Sequence, residues 1–161
     1  MRIGASCTSA PSMQQIAKIL FVCHGNICRS PMAEFVLKEL LRREGIEGLI
    51  VESAALHTDE IGNDIHYGTR SKLRAEGIPF SPRAAWLLGT SKALQYDLII
   101  AMDRYNLRDL KRMLPPAEHH RIRMMLPDRE VADPWYTGNF DETYRDIVEG
   151  CQILMQELRD L

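Results

Sequence analysis

The sequence predicts an α/β fold, a single domain in which a four-stranded parallel sheet carries helices on both faces. Two observations lead there. The run "AKILFVC" has the near-continuous apolar character of a strand buried on both sides, and three further short runs read as strands. They alternate with segments whose apolar residues recur at helical spacing, and right-handed crossovers between parallel strands place such helices over the two sheet faces. The 161 residues suit one domain, since domains typically span ~100–200 residues. No repeat, low-complexity tract or linker divides them.

Residues 1–16 are small and polar, read as a loosely ordered N-terminal extension, and the domain proper is placed at 17–161. "AKILFVC", Ala17 to Cys23, is strand 1. From Ser30, Ala33, Val36, Leu37, Leu40 and Leu41 share one helical face, with Glu34, Lys38, Glu39, Arg42 and Arg43 opposite. Ser30 suits the N-cap, Pro31 the first helical position, and Gly45 the end. "LIVESAAL" (Leu49 to Leu56) is strand 2, followed by a polar loop from His57 to Asp64 and a helix ending near Gly77. Pro82 to Gln95 has no clear pattern. "YDLIIAM" (Tyr96 to Met102) is strand 3, and Asp103 can cap a helix carrying Leu107, Leu110 and Leu114 that Pro115 and Pro116 stop. "RIRMML" (Arg121 to Leu126) is strand 4. After the loop "PDREVADPWYTGN", Phe140, Tyr144, Ile147, Val148, Cys151, Leu154, Met155 and Leu158 make one apolar face of a terminal helix.

Composition narrows the function. Twenty Lys and Arg against 22 Asp and Glu leave a formal charge of -2, with the basic residues scattered. No nucleic-acid partner is expected from that balance. No run approaches the ~20 apolar residues of a membrane span, and the N-terminus lacks a signal-peptide core, so a cytoplasmic chain without a membrane partner is expected. The four cysteines, Cys7, Cys23, Cys28 and Cys151, are too few and too uneven for a disulfide scaffold or a zinc finger. The five histidines, His24, His57, His66, His119 and His120, show no ligand spacing with a carboxylate or cysteine partner and read as exposed or packed. Neither metal nor cofactor is expected.

The densest chemistry lies in "FVCHGNICRSPMAE", Phe21 to Glu34, where Cys23 is a metal ligand, half of a disulfide, or a nucleophile. Strand ends of an open parallel sheet share one edge, and ligands bind there. Gly25 and Asn26 tolerate left-handed backbone angles, so successive N–H groups of the turn His24, Gly25, Asn26, Ile27, Cys28, Arg29, Ser30 can point inward as an anion nest. The helix start adds partial positive charge, and Arg29 supplies a planar fork for two anion oxygens. Without a lysine, and lacking GxGxxG, the turn does not suit a nucleotide. An electropositive nest favours a thiolate, which makes Cys23 a nucleophile toward a phosphoryl group held there, and Ser30 can donate a hydrogen bond to its sulfur.

Cys-x5-Arg-Ser followed by "PMAE" resembles the low-molecular-weight protein tyrosine phosphatases, and four further segments continue the likeness in family order. These are "ESAA" (52–55), "YDLIIAMDRYNLRDL" (96–110), "ADPWYTG" (132–138) and "FDETYRDIVEGC" (140–151). The resemblance implies a metal-free hydrolase of phosphotyrosine on a protein or peptide, acting through phosphocysteine as a monomer, with weak dimerisation as the alternative. By the same resemblance Cys23 is nucleophile, Arg29 phosphate clamp and Asp133 general acid and base. Asn26, Ser30 and Ser53 support the turn, and Ile27, Trp135 and Tyr136 wall the substrate ring. Cys28 matches a cysteine that pairs with the nucleophile under oxidation.

Each residue also has a plainer reading. Cys23 can be a small strand residue, Asp133 a turn former before proline, Trp135 and Tyr136 loop packing, and Cys151 core. Two stretches depart from the family. "SPRAAW" (Ser81 to Trp86) stands where many members carry a His-x-Ala-Arg segment. "LHTDEIGND" lacks a cleft tryptophan, leaving His57, Asp59, Glu60 and Ile61 as rim candidates. Related arginine phosphatases carry threonine at the position of Ile27, and the larger apolar residue favours an aryl ester. Related arsenate reductases need cysteines that residues 71–95 lack.

Overall fold

In the computed structural model, which describes residues 16–160, four parallel strands lie in the order β2-β1-β3-β4. They are β1 (Lys18–Cys23), β2 (Ile50–Ala55), β3 (Leu98–Ala101) and β4 (Ile122–Met124). Residues 1–15 of the expected extension lie outside the described residues, while Ile16 is buried against the core. Helices α1 (Arg29–Arg43), α2 (Tyr67–Ala75) and α6 (Phe140–Arg159) cover one face. The short α3 (Thr90–Ala93) and α4 (Arg104–Met113) cover the other. A 3-10 helix at Pro116–Arg121 leads into β4, and a single turn, α5 (Pro134–Thr137), precedes α6.

The strand period of two sorts the core. Ile19, Phe21 and Cys23 point toward α1 and α6, while Leu20 and Val22 point toward α3 and α4. Both sets are buried, which is why β1 reads as an unbroken apolar run. The strands on one side are shorter than their apolar runs. Asp97 has left β3, and its carboxylate accepts from the backbone N–H groups of Ala17 and Lys18 at 2.9 and 3.0 Å, anchoring the start of β1. Only three residues of the Arg121–Leu126 run pair as β4, because Met125 and Leu126 turn into the core.

Helix α1 begins differently from expectation. Its N-cap is Cys28 and its first residue Arg29, so Ser30 lies inside the first turn. The Ser30 hydroxyl is occupied by Asn26 Nδ2 at 2.8 Å and the Cys23 sulfur at 3.1 Å, and does not cap. On the polar face of α1, Glu34 and Glu39 are buried. Ser53 and Lys38 engage Glu34, while Arg42 and Arg43 cover Glu39. The capping expected of Asp103 is present, its side chain accepting from Asn106 N.

Helix α6 approaches the chain after β4 closely enough that a Cβ on Gly150 would sit 2.8 Å from the Met125 carbonyl oxygen. Alanine there gains about 1 kcal/mol of helix propensity, but the backbone contact forces α6 off the sheet at about 1–3 kcal/mol. Gly150→Ala is therefore expected to lower the thermal midpoint; a midpoint raised by the substitution would contradict this packing.

Candidate active site

Strand β1 is the first in sequence yet lies inside the sheet, with β2 on one side and β3 on the other. The chain order reverses there, and the turn after β1 opens at the carboxyl edge of this switch point. Three chain stretches converge on it: Cys23–Ser30, Asp103 after β3, and Val131–Asp133 after β4. Together with the His57–Glu60 loop they border a cleft of about 460 Å³.

Within the turn the left-handed residue is Asn26, with φ of 60°. Its amide is wholly buried, and Nδ2 donates to Ser30 Oγ at 2.8 Å and to Ser53 Oγ at 3.0 Å. Ser53 is placed by the register of β2 opposite Phe21. It donates to Glu34 Oε1 at 2.6 Å. Cys23 closes β1 at the cleft floor, only 3 % exposed.

Arg29 is 2 % exposed and held from two sides. Its Nη1 donates to Asp103 Oδ2 at 2.8 Å and to the Val131 carbonyl at 2.9 Å, and Nη2 reaches Asp133 Oδ2 at 3.4 Å. Burial opposes the guanidinium charge, but Cys23, Asp133 and Asp103 outweigh it and hold its pKa above the ordinary value. The buried Nε has no hydrogen-bond partner among the described residues, a donor in the wall of the nest. Asp133 is the N-cap of α5, its Oδ1 accepting from Trp135 N at 3.0 Å, so the turn-forming reading and the cleft position hold together.

The structure brings Cys23, Arg29, Asp133, Ile27, Trp135 and Tyr136 to one cleft, with Asn26, Ser30 and Ser53 bonded together behind it. Ile27 packs with Cys28 and Ala85 and faces the cleft. Trp135 lines the cleft while its edge meets His66, and Tyr136 lines it at 84 % exposure. Cys28 is a buried free thiol, pushed up to about 12 by burial, then by Cys23 and Asp133. Cys151, fully buried, is core.

Several residues were not anticipated. Asp103 was assigned only its cap, yet its second carboxylate oxygen orients Arg29. Arg83, from the "SPRAAW" departure, donates to the Asn26 carbonyl and side chain. At the cleft mouth the exposed His24 and His57 stack with ring centroids 4.2 Å apart. Each has a carboxylate partner, Asp59 at 2.6 Å and Asp109 at 2.8 Å. The His24 bond holds Asp59 below the usual carboxylate range. Pairing across 35 and 52 residues leaves no local signal. Of the rim candidates His57, Asp59 and Glu60 line the cleft, while Ile61 is exposed and does not. Among the described residues no cluster of three or more His, Cys, Asp or Glu is placed to hold a metal ion, and no helix is long and apolar enough to cross a membrane.

The sequence profile described as low molecular weight phosphotyrosine protein phosphatase matches residues 18–160. The low molecular weight protein-tyrosine-phosphatase YfkJ of Bacillus subtilis is 40% identical over 148 residues, covering 88% of this chain and 95% of that protein. Its crystal structure superposes with a TM-score of 0.85 at 37% identity, over 91% of this chain and 96% of that one. The low molecular weight protein tyrosine phosphatase SP-PTP of Streptococcus pyogenes gives a TM-score of 0.81 at 38% identity, over 89% and 93% of the two chains. A buried cysteine under an arginine-closed turn, on this fold and with these relatives, places the chain in the low molecular weight phosphotyrosine protein phosphatase family.

Proposed function

We propose that the chain is a cytoplasmic protein tyrosine phosphatase that hydrolyses phosphotyrosine on protein or peptide substrates, and small aryl phosphates, through a phosphocysteine at Cys23. The domain at 17–161 carries this activity as a monomer, without metal or cofactor. The observation that supports it most is Arg29, whose guanidinium is aimed by Asp103 and Val131 at the turn that ends β1.

The backbone N–H groups of the turn and the free face of Arg29 bind the phosphoryl oxygens. The Cys23 sulfur attacks phosphorus and the bond to the aryl oxygen breaks. A phenolate is a poor leaving group because its conjugate acid has a pKa of ~10, so Asp133 gives it a proton. Water then attacks phosphorus, the S–P bond breaks, Asp133 takes the proton from water, and the Ser30 hydroxyl stabilises the departing thiolate. Ile27, Trp135 and Tyr136 offer apolar and aromatic surface to a phenyl ring, which suits an aryl ester better than a guanidinium phosphate.

Cys28 has a second task in this reading. A peroxide oxidises the Cys23 thiolate to sulfenic acid with loss of water or alcohol. The Cys28 thiol then displaces hydroxide from that sulfur, giving a disulfide and water that a dithiol reverses. The Cys28 proton, which burial holds tightly, leaves with that hydroxide as water.

Hydrolysis of p-nitrophenyl phosphate should vanish in Cys23→Ser and fall by at least about a hundredfold in Arg29→Ala. Asp133→Asn should cost about a hundredfold on phenyl phosphate and far less on aryl esters with better leaving groups. Turnover that survives Cys23→Ser would defeat the mechanism. After hydrogen peroxide treatment, wild type should regain activity with dithiothreitol while Cys28→Ser does not; equal recovery removes Cys28 from the redox role.

A further inference from the structure

The proline-containing stretch that departs from the family places Arg83 behind the turn, outside the set of cleft-lining residues. Its Nη1 donates to the Asn26 carbonyl at 2.8 Å and Nη2 to Asn26 Oδ1. Its own backbone N–H donates to Asp64 Oδ1 at 3.1 Å, and Asp64 also accepts from Ile65 N at 2.7 Å and Arg70 at 3.4 Å. Arg83 is thus held against the Asp64 loop. Burial pushes its pKa down from the ordinary value, opposed by Glu34, Cys23 and Asp64.

A guanidinium has donors only. Asn26 must therefore turn its amide oxygen to Arg83 and its Nδ2 to Ser30 and Ser53, the orientation present here. At the far end Glu34, held by Lys38 at 2.6 Å, accepts from Ser53, which leaves Ser53 only able to accept from Asn26. Ser30, accepting from Asn26, keeps its own hydrogen for the Cys23 sulfur 3.1 Å away. The second bond acts on the backbone. In a planar trans peptide the N–H points opposite to the carbonyl, so holding the Asn26 carbonyl toward Arg83 keeps the Ile27 N–H facing away from Arg83.

We propose that Arg83 is a positioning residue that, with Glu34, sets the direction of the hydrogen bonds ending on the Cys23 sulfur and locks the Asn26–Ile27 peptide of the phosphate-binding turn. This rests on the phosphatase reading above.

The test compares wild type, Arg83→Met and Arg83→Lys by kcat on p-nitrophenyl phosphate. It also follows iodoacetamide alkylation of Cys23, read by mass spectrometry between about pH 5 and pH 9. Losing the donor should move the alkylation profile of Arg83→Met about one pH unit upward and lower kcat about tenfold. Arg83→Lys, still a donor-only cation, should recover most of both. An Arg83→Met profile and kcat equal to wild type overturns the proposal, as does Arg83→Lys no better than Arg83→Met. Should Arg83→Met not fold, the same readouts on Arg83→Gln decide: displaced values support the role and wild-type values overturn it. Alkylation is independent of turnover, so a wild type that fails to hydrolyse aryl phosphates counts against the phosphatase reading alone.

Discussion

A buried guanidinium needs partners on several sides, and Arg29 is the point at which this fold supplies them. Its charge is taken out of water at the start of α1, and Asp103 after β3 and the Val131 carbonyl after β4 receive it. Removing one partner of such a buried pair typically costs about 3–5 kcal/mol. The interaction therefore ties the turn after β1 to the ends of the two neighbouring strands on one side. It also spends part of the donor set on structure and leaves the rest for an anion. The strand order makes this available, because only an inner strand at a switch point has loops converging from beyond its neighbour.

The opposite side of the turn is organised by hydrogen bonds rather than by an ion pair at the site. Asn26, buried in a left-handed conformation that costs an ordinary residue about 1 kcal/mol or more, is bonded through its carbonyl, its amide oxygen and its amide nitrogen. A donor-only cation at Arg83 and an acceptor-only anion at Glu34 leave the intervening hydroxyls a single arrangement. The cleft mouth follows another logic. There two stacked imidazoles, each bonded to a carboxylate, join the turn to the Asp59 loop and to α4.

What could be read from sequence follows physical range. Apolar runs exposed β1 and β3 because burial on both faces leaves no polar alternation, the partly exposed β2 and β4 were legible only from shorter apolar stretches, and helical periodicity exposed α1, α4 and α6. The turn was legible because its chemistry is packed into Cys23 to Ser30. Ser30 misled as a cap, since any serine before a helix has that local option and only the sulfur and Asn26 show where its hydroxyl goes. Glu34 lies on the face of α1 opposite the apolar residues, and its bond from Ser53 of another strand has no local signal. The second role of Asp103 and the contacts of Arg83 depend on pairings 74 and 57 residues apart, which no local pattern encodes.

The proposed chemistry turns on transfer of the phosphoryl group to the sulfur at the floor of this turn. Rapid acid quench of the enzyme during turnover of an aryl phosphate, followed by peptide mass spectrometry, tests it most directly. One phosphoryl group is expected on the peptide from β1 and the turn, carried by Cys23 and absent when Cys23 is alkylated first. A phosphoryl group on His24 or His57 instead, or turnover with no phosphorylated enzyme at any quench time, would contradict it.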